Sequence, residues 1–169
     1  MTQVYVACRM TGRDRLEMVK RAKYVSHVLA EYGLRAISPV IEESVPALPG
    51  ALVNDSKERL KGFWDRDKYI IRHIAHVTLI DGAEAKSWGV EREYALSRFC
   101  LWKPTVLITP NRALSVADFE DDFITADIHE AAEVIRTRFG TRFKRIMWRL
   151  QMLRKTLPYW LYCQVLAFR

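Results

Sequence analysis

Short runs of β-branched and aromatic residues alternate along the chain with longer segments whose apolar residues recur at helical spacing. This alternation constrains the fold more than any other feature of the sequence. It predicts strands at 3–8, 34–40, 76–81, 104–110 and 123–127, and helices at about 14–32, 57–75, 88–102 and 128–139. Strands that alternate with helices are typical of a parallel sheet covered on both faces. We therefore expect an α/β fold with a doubly wound parallel sheet of about five strands.

The charges divide the chain into two parts. Of its 169 residues, 27 are Lys or Arg and 20 are Asp or Glu, and the two kinds balance over residues 1–141. Residues 142–169 carry the remaining seven basic residues and no acidic one. We expect a catalytic domain over 1–140 and a basic tail over 141–169. Because the domain itself carries no basic excess, binding of nucleic acid by the domain is not favoured.

In sheets of this kind, ligands bind beyond the carboxyl ends of the strands. The loops that follow Cys8, Val40, Asp81 and Thr109 should therefore surround any site. The loop at 41–56 holds two prolines and a glycine and is long enough to act as a lid.

Two glutamates stand near the start of the helix predicted at 88–102. At about 100° per residue, the apolar side of this helix is defined by Val90, Tyr94, Ala95, Phe99, Leu101 and Trp102. Glu91 is expected near the middle of that side and Glu93 roughly opposite, in solvent. Glu91 is therefore the candidate for a functional carboxylate on a core face.

The helix before it repeats this pattern. Its apolar stripe consists of Leu60, Phe63, Trp64, Ile70, Ile71 and Ile74. Asp67 lies at the centre of the stripe, whereas Asp65 points away from it. An unpaired buried carboxylate is destabilising by several kcal/mol, so two such placements favour function. The alternative is that one or both carboxylates form structural ion pairs with nearby arginines.

The two predicted environments differ. Glu91 lies in the first turn of its helix, where the helix dipole favours an ionised carboxylate. Asp67 lies among apolar residues, where desolvation favours the protonated form. An ionised nucleophile beside a protonated acid is the arrangement that retaining glycosyl chemistry requires.

The segments VYVA (4–7), RD (66–67) and SWGVEREYAL (87–96) resemble the nucleoside 2-deoxyribosyltransferase superfamily, which includes 2′-deoxynucleoside 5′-monophosphate N-glycosidases. The resemblance covers about residues 3–109. It implies a flavodoxin-like (Rossmann-like) sheet and cleavage of the N-glycosidic bond of 2′-deoxynucleosides. It also implies that Glu91 is the nucleophile, that Asp67 assists departure of the base, and that the Tyr5 hydroxyl orients the nucleophile.

The same resemblance suggests substrate contacts. Ser87 and Gly89 lie at a helix N-terminus, which is suited to an anion, and the serine suggests a 5′-phosphate pocket. Arg9 and Arg13 are candidates for further cationic contacts, with a solvated turn as the alternative. Asp81 either supplies a compensating carboxylate or only ends its strand. Met10 and Trp88 are candidates for contacts with the base.

No cofactor is expected, because the sequence contains neither a dinucleotide-binding nor a P-loop glycine motif. No metal is expected either, because the four histidines do not form a ligand set. We expect an enzyme that hydrolyses nucleoside or nucleotide N-glycosidic bonds. Transfer of the deoxyribosyl group to another base is one alternative, and a nucleotide-binding regulator without turnover is another.

The tail has an apolar stripe, with most of its basic residues on the other side. The stripe is formed by Phe143, Ile146, Met147, Leu150, Leu153 and Leu157. It is expected to pack on the domain or on a second subunit, which would make the protein a homo-oligomer. Peripheral contact with an anionic membrane is the alternative. The start of the sequence lacks the pattern of a signal peptide, and its three cysteines are not spaced as CxxC, so we expect a cytosolic protein.

Overall fold

The structure of the chain is a computed structural model. The residues that it describes are 1–8, 13–42, 57–82, 87–109 and 123–167. Within the helices, side chains are not described for residues 42, 57–62, 88 and 156–167. The expected lid at 41–56 therefore lies almost entirely outside the described residues.

Strands and helices alternate as predicted. The strands are β1 (Thr2–Cys8), β2 (Leu34–Ile37), β3 (Val77–Asp81), β4 (Thr105–Ile108) and β5 (Phe123–Thr125). The helices are α1 (Arg15–Glu31), α2 (Pro39–Glu42), α3 (Lys57–Tyr69), α4 (Trp88–Ala95), α5 (Ile128–Val134) and α6 (Arg142–Ala167). Within the described part of the chain, no helix is both long and apolar enough to cross a membrane.

The five strands form one parallel sheet in the order β2-β1-β3-β4-β5. This is the order of the flavodoxin-like doubly wound fold, and it confirms the predicted fold class. The chain reverses its direction of winding between β1 and β3, where Cys8 pairs with Asp81 at the carboxyl ends of the two strands. A crevice that could hold a ligand is expected above this pair.

Alternate residues of β1 supply the two halves of the core. Val4 and Val6 face one side of the sheet, together with buried residues of α1, α5 and α6. Tyr5 and Ala7 face the other side, together with buried residues at the ends of α3 and α4. Because side chains alternate along a strand, the tyrosine belongs to the side of the sheet on which the two helices with candidate carboxylates pack.

Three of the helices end in a π-helical turn, in which each hydrogen bond spans one residue more than in an α-helix. These turns are Ile70–Ile74 after α3, Leu96–Cys100 after α4 and Ile135–Phe139 after α5. The buried Lys103 amine donates to the carbonyl oxygens of Ile71, Arg72 and Ala75 at the end of the first turn. A π-helical turn shifts the rotational phase of all residues after it, and this affects the site described below.

The first half of α6 belongs to the core of the domain. Trp148 and Met152 are buried against Phe123, Ile135 and Phe139. The expected apolar stripe faces away from the domain instead, since Phe143, Ile146, Met147 and Leu150 are all exposed. The domain therefore does not cover these four residues, and packing of the stripe on a second subunit stays a prediction. The helix has apolar residues on two sides. The side that carries Trp148 is buried because this residue packs on the aromatic rings of Phe123 and Phe139.

Met152 and Leu150 provide a matched test of how α6 packs. Met152 is completely buried and Leu150 is 54% exposed. Met152→Ala should lower the free energy of unfolding by about 2–4 kcal/mol, because it leaves a cavity in the core. Leu150→Ala should change it by less than about 0.5 kcal/mol. Urea denaturation of both variants measures the difference, and equal losses would contradict this packing.

Candidate active site

A buried tyrosine and a buried glutamate form a hydrogen bond between the sheet and α4. The Tyr5 hydroxyl donates to Oε1 of Glu93 over 2.7 Å. Tyr5 is completely buried and Glu93 is 9% exposed. The tyrosine in the middle of β1 thus holds a carboxyl group from the second turn of α4 in a fixed orientation.

The buried glutamate is Glu93, so the predicted faces of α4 are wrong. Glu91 is exposed, as is Ala95, and Glu93 shares the buried side with Val90 and Tyr94. The error comes from including Phe99, Leu101 and Trp102 in the calculation of the apolar side. Phe99 lies within the π-helical turn Leu96–Cys100 and the other two lie beyond it, so none of them reports the phase of the first turns.

The buried side of α4 is defined by a different set of residues, which extends to Ser97 at the second position of the π-helical turn. Val90, Glu93, Tyr94 and Ser97 follow the spacing i, i+3, i+4, i+7 of a single helical stripe. All four are buried, and the Ser97 hydroxyl donates to Thr78 Oγ1 of β3 over 2.7 Å. Glu91 instead lies in the first turn of the helix, where an exposed carboxylate complements the dipole.

Asp67 supplies a second carboxylate on the same side of the sheet. It is 7% exposed and shares its helical stripe with the buried Ile70 and Ile71, so its predicted burial on α3 is confirmed. Nε and Nη2 of Arg66 both donate to its Oδ1 atom over 3.1 Å. This interaction is one of the ion pairs that the sequence leaves open as an alternative to function.

The guanidinium group of Arg66 also lies over the Phe63 ring, 5.3 Å from its centroid. Across the helix pair, the guanidinium group of Arg92 lies 4.7 Å from the centroid of the Trp64 ring. The first contact lies within α3, whereas the second stabilises α3 against α4. The second contact keeps the two helices that carry the carboxylates in a fixed relation to each other.

The pKa of Glu93 is raised from its ordinary value of 4.5 to about 8, mainly by burial and also by the negative charge of Asp67. The Tyr5 hydrogen bond and the positive charge of Arg66 act in the opposite direction. At 1.36 kcal/mol per pKa unit, the penalty on the ionised form is on the order of 5 kcal/mol. Glu93 is therefore protonated at neutral pH.

Burial also raises the pKa of the Tyr5 hydroxyl well above its usual range, and the charges of Glu93 and Asp67 add to this effect. The phenol therefore stays protonated and acts as a hydrogen-bond donor. The charge of Asp67 thus raises the pKa of both members of the Tyr5–Glu93 hydrogen bond.

The predicted anion site lies at the start of α4. Ser87 is the N-terminal cap residue in an extended conformation, and its hydroxyl makes no capping hydrogen bond. Among the described residues, a Cβ atom added to Gly89 would approach only the Ser87 Oγ atom, at 4.0 Å, so none of them fills the space beside this glycine. Trp88 begins the helix, and its side chain is not described.

Asp81 lies at the carboxyl end of β3 beside Cys8 and forms an ion pair with α1. Nε and Nη2 of Arg21 each donate to one of its carboxylate oxygens over 2.8 Å. Because Asp81 is already paired with Arg21, its position at the end of β3 does not require a contact with a substrate. Arg13 is exposed in the turn before α1, and Arg9 and Met10 lie outside the described residues.

The described residues contain no group of three or more His, Cys, Asp or Glu side chains that could hold a metal ion. The chemistry available in the described site is that of its carboxyl groups. One is held by a tyrosine and has a pKa near neutrality, and the other is held by an arginine. Such a pair can exchange a proton and can supply both a nucleophile and an acid.

No family model matches the chain. No curated protein matches it either. Among solved structures, the chain is similar to one entitled "Structure of Clostridium botulinum CMP N-glycosidase, BcmB", with a TM-score of 0.45 and 14% sequence identity. The alignment covers 79% of this chain and 98% of that chain. At this TM-score the similarity carries no inference about residues or activity.

Proposed function

We propose that the chain is an N-glycosidase that hydrolyses the N-glycosidic bond of 2′-deoxynucleoside 5′-monophosphates. The observation that carries the proposal is the buried pair of carboxyl groups, Glu93 and Asp67, with the Tyr5 hydroxyl bound to Glu93. Cleavage of a glycosidic bond requires two carboxyl groups in different protonation states. The resemblance of the segments around Tyr5, Asp67 and α4 to deoxyribosyltransferases favours the same reaction.

In this proposal Glu93 replaces Glu91 as the nucleophile. Glu91 is exposed and lies on another face of α4 from Tyr5 and the α3 carboxylate, whereas Glu93 is oriented by a tyrosine, as the resemblance implies for a nucleophile. The remaining roles stay as the resemblance implies. Asp67 assists departure of the base, and Tyr5 holds the nucleophile.

The pair reacts in its singly protonated state. The proton that burial places on Glu93 first moves to Asp67, directly or through a water molecule. The ionised Glu93 then attacks C1′, the bond from C1′ to the base breaks, and the base takes the proton from Asp67. Water next attacks C1′ of the glycosyl-enzyme and gives a proton to the ionised Asp67, while the bond from C1′ to the Glu93 oxygen breaks. Glu93 leaves as a carboxylate, which restores the singly protonated pair.

A 5′-phosphate is assigned to the N-terminus of α4. The Ser87 hydroxyl makes no capping bond, and no described residue fills the space beside Gly89, so both are accessible to an anion at the positive end of the helix dipole. Arg13 is a further cationic candidate in the turn before α1. Contacts with the base by Met10 and Trp88 remain proposals.

The test is release of free base from a panel of 2′-deoxynucleosides and their 5′-monophosphates, followed by chromatography, with and without a second, labelled base. Release from the monophosphates without added base supports hydrolysis and the phosphate site. Exchange that requires an added base would make the protein a deoxyribosyltransferase instead. Binding of a nucleotide without any release would overturn the proposed activity.

The pH dependence of kcat/KM tests the shared proton. Since the pair must keep one proton, kcat/KM should fall above a pH of about 8, where Glu93 loses it. Tyr5→Phe removes a hydrogen bond that lowers the pKa of Glu93, so it should move this alkaline limb to higher pH and reduce kcat. A rate that instead rises through pH 8 and stays high would show that Asp67 is not needed as an acid.

A further inference from the structure

The outward side of α6 is apolar and is not buried by any of the described residues. Phe143 is 69% exposed, Ile146 44%, Met147 49% and Leu150 54%. At about 100° per residue they form one stripe, roughly opposite the buried Trp148 and Met152. We call these four residues the outer stripe. Exposed large apolar side chains that cluster in this way mark interaction sites.

Basic residues border the outer stripe on both sides. Arg142 and Arg149 lie along one edge of the helix, and Lys144 and Lys155 lie along the other. Arg154 is exposed beside the stripe. Residues 142–169 contain no acidic side chain and seven basic ones, six of which lie on α6.

A groove of about 1190 Å³ runs beside the outer stripe. Its walls combine apolar side chains, among them Phe123, Phe143 and Met147, with the cationic side chains of Arg138, Lys144 and Arg154. Among the described residues that line it, none is a carboxylate. An apolar surface whose described charged neighbours are cations is complementary to a partner that has an apolar interior and an anionic surface.

We propose that the outer stripe of α6 docks the protein on an anionic phospholipid surface. In such a helix the apolar side chains enter the acyl boundary, while long basic side chains extend to the lipid headgroups. A second copy of the chain fits this face less well. Two copies facing each other would bring together rows of Lys and Arg with no carboxylate between them. This inference does not depend on the proposed reaction.

The experiment is sedimentation of the full chain with vesicles of phosphatidylcholine alone and of phosphatidylcholine mixed with phosphatidylserine, at low and high salt. The partition coefficient should be at least about tenfold higher for the anionic vesicles at low salt, because each basic residue near the surface contributes separately. High salt should remove most of this difference.

Two pairs of variants separate this face from the rest of the surface. Ile146→Ser with Leu150→Ser should lower binding about tenfold or more, whereas Tyr24→Ser with Tyr69→Ser, which alters exposed residues of α1 and α3, should not. Arg142→Gln with Arg154→Gln should also lower it, whereas Lys20→Gln with Lys23→Gln should not. All eight residues are exposed, and circular dichroism checks that each variant is folded.

Three results would overturn the proposal. The first is equal binding to neutral and anionic vesicles. The second is a loss of binding that is the same in the α6 variants and in their controls. The third is no vesicle binding at all. If, in that case, sedimentation velocity shows a dimer that Ile146→Ser with Leu150→Ser dissociates, the outer stripe is instead an interface between two copies.

Discussion

Glu93→Gln is expected to lower kcat/KM for release of the base at least about a thousandfold, as is usual when an essential nucleophile is removed. The amide has nearly the same size as the protonated carboxyl group, and its oxygen can still accept the hydrogen bond from Tyr5. The variant therefore keeps the packing of α4 and loses only the nucleophile. Rates measured at equal substrate concentration, with chromatography of the free base, provide the comparison.

The matched control is Glu91→Gln, two residues away on the exposed side of the same helix. It should leave kcat/KM within a few-fold of the wild type. Mass spectrometry of quenched reactions adds a direct measurement, because the glycosyl-enzyme should be detected in the wild type and not in Glu93→Gln. If Glu91→Gln abolishes base release while Glu93→Gln does not, the sequence-based choice of Glu91 is right and the proposal here is wrong.

The sheet and its helices could be predicted because each element carries its own local pattern. Five runs rich in β-branched residues became the five strands, and Gly33, which the sequence places at the end of α1, has a φ of +71°. Asp67 was also predictable, since its stripe includes Ile70 and Ile71 within two turns of the same helix.

The choice between the glutamates could not be made from an extended helical pattern. That calculation assumes one constant rotation per residue, and the π-helical turn Leu96–Cys100 breaks the assumption. At about 100° per residue, the direction midway between the buried Val90 and Tyr94 lies about 80° from Glu91 and about 80° from Glu93, so these two residues do not choose between the glutamates.

The buried side of α6 is a second feature that could not be predicted from the sequence. Both sides of this helix carry apolar residues, and a hydrophobic pattern does not say which of two such sides a domain buries. The choice follows from the aromatic packing of Trp148 on Phe123 and Phe139, with ring centroids 5.7 and 5.4 Å apart. These partners lie far apart in the sequence. The expected homo-oligomer and the cytosolic location stay predictions.

Glu93→Gln is also expected to stabilise the folded protein at alkaline pH. In the folded state the pKa of Glu93 is about 8, well above its ordinary value of 4.5. Between these values the folded state binds more protons than the unfolded state, so the free energy of unfolding decreases as pH rises. The favourable contribution is fully present below pH 4.5 and is lost as pH rises to about 8. An amide cannot ionise, so the variant avoids this loss.

The difference in the free energy of unfolding between variant and wild type should therefore be near zero at acidic pH and grow to about 3 kcal/mol above pH 8, with on the order of 5 kcal/mol as the upper bound. Urea denaturation at several pH values measures this difference. The two proteins share all other titrating groups, so the contributions of those groups cancel in the difference. One of them is Lys103, whose pKa is lowered to about 8 by burial and by the charge of Arg149. Glu91→Gln is the control and should change stability by less than about 0.5 kcal/mol at each pH.

A buried carboxyl group that weakens the fold is retained only where it has a use. A Glu93→Gln protein that is more stable at alkaline pH but inactive would show that use to be catalysis, whereas a difference that does not vary with pH would show that Glu93 is ionised in the folded protein.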